Sequence, residues 1–196
     1  MSTNSDRVEG VRVVLGMTAL MWVLEMVDLL TGHRLDRFGI QPRDLDGLVG
    51  VVTAPFLHFG FGHLAANTIP FTVLGAVIAL GGAARVLMVT AITALASGVG
   101  IWLLAPEPSL TAGASGVVFG YATYLIARGV VDRSGLHMAI GAVVVAIWGT
   151  GLLVGMLPRA GVSWLGHLSG AAGGVMAARL LRRRDRVTAM TPTPTR

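Results

Sequence analysis

The chain has 196 residues, of which 54% are hydrophobic and 13% charged, about half the charged share of a soluble domain. That is too little charge to clothe a globular surface, so lipid is the expected solvent, and the absence of cysteine excludes disulfides, thiolate metal sites and cysteine nucleophiles. The net charge of +5 comes from 15 basic residues, all arginine; they gather at the ends of apolar runs, which fits membrane topology and argues against nucleic acid as a partner.

Residues 1–10 read as a short, polar, unstructured cytoplasmic segment. Val13–Leu30 is long enough to span a bilayer at about 1.5 Å per residue. A cleaved signal peptide would have a shorter apolar core ending in a small-residue site, whereas this run ends in Leu29-Leu30-Thr31-Gly32 and further spans follow. Glu25 and Asp28 fall in its last turns, where snorkelling or pairing with Arg34 or Arg37 is the expected fate of a carboxylate. Residues 31–57 mix Arg and Asp with Leu, Phe and Ile, the pattern of a structured loop lying in the interface rather than a free linker. Further spans are expected at His63–Leu80, Val86–Leu104, Ser115–Val131, Leu136–Leu157 and Trp164–Leu181. The arginine-rich, then Thr/Pro-rich residues 182–196 read as a disordered basic cytoplasmic tail. The expected fold is all-α: a polytopic membrane protein with six transmembrane helices in one domain, 11–181.

Six spans put both termini on one side. With the termini inside, Arg7, Arg12, Arg85, Arg128, Arg133, Arg179, Arg182, Arg183, Arg184, Arg186 and Arg196 are internal, and Arg34, Arg37, Arg43 and Arg159 external. The excess favours cytoplasmic termini. His63, Ser115 and His167, each at the start of a span, then share one depth on the external side.

That shared depth gives the polar residues their interest. Serine is a weak nucleophile until a base takes its proton, and histidine is the usual base near neutral pH. Singly, Ser115 in Gly113-Ala114-Ser115-Gly116 reads as a packing residue and His167 as a hydrogen-bonded structural group. Jointly they read otherwise. Gly116 and Gly120 form a small face on the fourth span, and Gly166, Gly170 and Gly174 a longer one on the sixth; their contact would bring Ser115 to His167. His63 and Asn67 stand one turn apart on the second span, where two donors aimed at an oxyanion could each lower a barrier by roughly 3 kcal/mol; an interhelical hydrogen-bond pair is the alternative. A metal site built from His58, His63 and His167 is disfavoured, because Asn67 is a poor ligand and no carboxylate lies nearby in sequence.

His58-x-x-x-x-His63-x-x-x-Asn67, Gly113-Ala114-Ser115-Gly116 and Gly166-His167-x-x-Gly170, in this order on spans two, four and six, resemble the bacterial rhomboid intramembrane serine proteases over residues 11–181. The resemblance implies a cofactor-free Ser115–His167 dyad acting on transmembrane protein substrates in the bacterial inner membrane. His63, Asn67 and the Ser115 N–H would be the oxyanion donors, with His58 structural and the fifth span a gate. The sequence departs from the family at Val49-Gly50, where a Trp-Arg pair is frequent, at Gly166, where alanine is usual, and at Phe119, where tyrosine is common. A catalytically silent relative that binds membrane clients would share the fold, and a small transporter would need a midplane polar path that the sequence does not display.

Overall fold

The computed structural model describes residues 2–182, so the expectation of a disordered tail falls, except for Arg182, outside the described residues. Among the described residues there are six helices of at least 17 residues: α1 (Asn4–Leu30), α3 (Phe61–Ala79), α4 (Ala83–Leu104), α5 (Ser115–Asp132), α6 (Gly135–Gly155) and α7 (Trp164–Leu180), with α2 (Gly50–Thr53) a single turn. Among the described residues there is no β-strand, only one isolated bridge between Ile40 and Thr111. The fold is an all-α membrane bundle.

The helix starts lie within three residues of those expected except at the N-terminus. Residues 4–10, expected to be unstructured, are helical: α1 begins at Asn4, where the Thr3 hydroxyl accepts from the Asp6 N–H and the Asp6 carboxylate accepts from the Thr3 N–H. This reciprocal cap satisfies two otherwise orphaned amides, and Gly10 lies buried against Ala79 of α3. The other end of α1 also differs from expectation. Asp28 is buried, neither snorkelling nor paired with Arg34 or Arg37; it accepts from the Leu35 N–H at 2.6 Å and bonds His33 Nδ1 at 2.9 Å. A side chain that caps the turn leaving its own helix has no need of a distant arginine.

α1, α3, α4 and α6 are each long and apolar enough to cross a membrane. α5 and α7, at 18 and 17 residues, are shorter. They hold the interior: α5 packs against α3, α4, α6 and α7, and α7 is wedged between α4 and α5. An enclosed helix needs close backbone approach more than a greasy coat, and the glycines of α5 and α7 that face each other supply it.

Residues 31–57 form a folded loop. Short turns at Asp36–Phe38, Asp46–Val49 and Ala54–Phe56 flank α2. The loop is pinned to the end of α4 by the Trp102 indole donating to the Asp44 carbonyl and by Arg43 donating to Glu107 and to the Leu103 and Ala105 carbonyls. Gly50 presses on the backbone of Gly39 and Ile40, where a side chain would collide.

Polar contacts identify the two ends of the bundle. At one end the Ser2 hydroxyl donates to the Leu80 carbonyl, and Arg85 donates to the Tyr124 hydroxyl and the Leu181 carbonyl. The chain start, the α3–α4 turn and the end of α7 therefore meet there. The starts of α3, α5 and α7 lie at the opposite end, and the candidate site is built there.

Candidate active site

The site begins with a constrained loop. Thr111 exchanges two backbone hydrogen bonds with Ile40, the Gly113 N–H donates to the Ala54 carbonyl at 2.8 Å, and the Ala114 N–H donates to His58 Nε2 at 3.3 Å. Gly113 has φ +128°, and the His63 ring lies where its Cβ would be, Cε1 at 2.7 Å. Only glycine meets both demands. The chain then enters α5 at Ser115, whose N–H is among the first-turn amides with no acceptor inside the helix.

α5 and α7 are joined backbone to backbone. A methyl group on Gly170 would strike the Gly116 carbonyl, and one on Gly174 would strike the Gly120 carbonyl. Side chains stitch the same seam: Thr123 Oγ1 donates to the Ala171 carbonyl at 2.8 Å, and Ser97 of α4 donates to the Gly166 carbonyl at 3.0 Å. At Gly166 a Cβ would lie 2.7 Å from Ile101 Cδ1 and 2.9 Å from Ser163 Oγ, so an alanine there would require those two side chains to shift.

The seam delivers Ser115 to His167. Ser115 Oγ lies 2.9 Å from His167 Nε2, and His167 Nδ1 lies 2.7 Å from the carbonyl oxygen of Gly155, the last residue of α6. A carbonyl can only accept. The hydrogen-bond network therefore assigns the ring proton to Nδ1 and leaves the Nε2 lone pair for the Ser115 hydroxyl. Phe119, one turn after Ser115, stacks on the imidazole with centroids 4.1 Å apart and an interplanar angle of 7°. Gly155 has no signature in the sequence. It is glycine because a Cβ there would lie 2.5 Å from Phe119 Cζ.

The remaining candidates are close by but differently engaged. His63 stands edge-on to His58, with centroids 5.1 Å apart. Asn67 is buried, and its amide donates to the His63 carbonyl at 3.0 Å along its own helix; a carboxamide has a second N–H to give. His58 is buried, and this together with the neighbouring His63 pushes its pKa down to about 4, against a smaller opposing pull from the Phe56 backbone. It is a neutral acceptor for the Ala114 amide at physiological pH. Chemically, the arrangement offers a hydroxyl, a base whose ring proton lies on Nδ1, and the Ser115 N–H; among the described residues no carboxylate is hydrogen-bonded to that base.

The two innermost helices thus bring a serine and a histidine together at one end of the bundle. The rhomboid-domain family model matches residues 46–184, and the chain belongs to the rhomboid family as an integral membrane protein. It is 43% identical over 188 residues to an uncharacterised protein of Mycobacterium tuberculosis (strain H37Rv), covering 91% of this chain and 78% of that one. An uncharacterised Mycobacterium leprae protein is 41% identical over 184 residues, 89% of this chain and 72% of that one. Rhomboid protease GluP of Bacillus subtilis is 30% identical over 136 residues, 67% of this chain and 25% of its own length.

Proposed function

We propose that this chain is an intramembrane serine endopeptidase that cleaves other membrane proteins within or beside their transmembrane segments, using Ser115 as nucleophile and His167 as general base. The observation that carries the proposal is the 2.9 Å contact between Ser115 Oγ and His167 Nε2. As Oγ attacks the peptide carbonyl, Nε2 takes the hydroxyl proton, and the resulting imidazolium keeps its Nδ1–H on the Gly155 carbonyl. The tetrahedral oxyanion accepts from the Ser115 N–H, from His63 and from the second N–H of Asn67. Collapse of this intermediate passes the Nε2 proton to the leaving amine. Water then attacks the acyl-enzyme, with His167 again as base.

A substrate helix hides its carbonyls in its own hydrogen bonds, so it must unwind to be cut; glycine, proline or small residues near the scissile bond favour this. The arginine distribution orients both termini to the cytoplasm of a bacterial inner membrane and the site to the opposite face. Residues 1–10 are assigned to the cytoplasmic end, 11–181 to the membrane domain and 182–196 to a cytoplasmic tail.

The test is cleavage of a single-span reporter in proteoliposomes. Ser115→Ala is expected to lower the rate by more than about 1,000-fold, as loss of a nucleophile does in other serine proteases, and Ser115 is expected to react with a fluorophosphonate only while His167 is present. Full cleavage by well-folded Ser115→Ala protein would end the proposal.

A further inference from the structure

Away from the dyad, the end of α1 gathers a second set of chemically active groups. Asp28, His33 and Asp36 each place one ligand atom within 4.8 Å of the others. Gly32 and His33 both have positive φ, +70° and +60°, so the turn leaving α1 doubles back and returns the His33 ring to Asp28. One helical turn below Asp28 on the same face of α1 lies Glu25, 2% exposed, whose Oε2 has no hydrogen-bond partner. The Glu25 carboxylate is within electrostatic reach of Asp28, Asp36 and His33 and lies against the Gly60 backbone, immediately before α3.

Two carboxylates, Asp28 and Asp36, thus converge on one imidazole, with the buried Glu25 carboxylate within their electrostatic reach. Among the described residues no arginine pairs with them; Arg37 instead lies over the Phe38 ring at 4.8 Å. Structure alone explains the Asp28–His33 bond as a cap, but leaves Glu25 Oε2 buried without a partner, an arrangement that is costly unless a cation or donor compensates it.

We infer that Asp28, His33 and Asp36, backed by Glu25, bind a divalent transition cation of the zinc class at the end of α1. Mixed oxygen and imidazole donors suit zinc, whereas calcium takes oxygen donors. The cation would replace the hydrogen between His33 Nδ1 and Asp28, the ring shifting its proton to the exposed Nε2. It would clasp the 31–57 loop to α1 beside the Gly60 turn that opens α3. This does not depend on the protease reading.

The experiment titrates chelator-stripped, histidine-tag-free protein in detergent with ZnCl2, MnCl2 or CaCl2, by isothermal calorimetry and thermal unfolding. Zinc is expected to bind one per chain and raise the unfolding midpoint. Asp36→Asn and His33→Ala, both in the loop that leaves α1, should each weaken zinc binding at least tenfold. Absence of zinc binding overturns the inference. So does zinc binding that survives both substitutions unchanged, which would place the ion on the other histidines, or calcium binding indifferent to His33→Ala.

Discussion

The Gly170→Ala variant tests the seam between α5 and α7. Its added methyl would lie 2.8 Å from the Gly116 carbonyl carbon and 3.1 Å from the Gly116 Cα, where carbon atoms settle at about 3.5–4.0 Å. The obstacle is backbone, so relief requires the two helices to part by about 1 Å. Ser115 opens one of these helices and His167 lies three residues from the substitution on the other. Their 2.9 Å hydrogen bond would stretch to about 4 Å, beyond productive proton transfer. Misplacement on this scale costs about 100-fold in rate, whereas overpacking costs about 1–3 kcal/mol of stability. The assay pairs reporter cleavage in proteoliposomes with fluorophosphonate labelling, and monitors folding by detergent unfolding. Gly151→Ala, where a methyl meets nothing within 4 Å, is the control and should stay within twofold of wild type. A Gly170→Ala enzyme that is folded and equally active would refute the reasoning, since the seam would then not set the dyad distance.

Further outcomes follow from neighbouring contacts. Phe119→Leu removes the ring stacked on His167 and should lower cleavage about tenfold or more, while Phe119→Tyr keeps the ring and should retain most activity; steady-state kinetics of both variants check this. Asn67→Ala should lower kcat by about 100–1,000-fold if its free N–H meets the oxyanion, with little change in the rate of substrate capture by an inactive Ser115→Ala background. His58, held neutral down to about pH 4 by burial, gains its proton more readily when unfolded. Stability from this group is therefore complete above about pH 6.5 and falls by about 3 kcal/mol as pH drops towards 4. His58→Gln keeps an acceptor for the Ala114 amide but does not titrate, so it should flatten that slope in detergent-unfolding curves.

Much of the architecture was legible because membrane helices declare themselves by unbroken apolar runs, and five of the six long helices begin within three residues of the expected starts. The exception, α1, was hidden by polar first-turn residues: Thr3 and Asp6 look like a free terminus until their mutual cap is seen. The contact of Ser115 with His167 was legible through Gly116, Gly170 and Gly174, whose spacing encodes a close helix crossing. What spacing does not encode is side-chain direction. His63 and Asn67 share a helix face, yet the Asn67 amide turns to its own backbone. Nor did sequence reveal that Asp28 finds His33, since that depends on two positive φ angles in the intervening turn.

The Gly155 carbonyl has a practical consequence. In many serine hydrolases the group that steadies the imidazole is an acidic side chain, which a substitution can erase. Here that office falls to a main-chain oxygen, which every amino acid carries. An alanine at 155 would leave that oxygen in place and disturb the Phe119 ring instead, so reading the carbonyl's contribution requires changing the peptide linkage itself, for example by an ester or thioamide between residues 155 and 156.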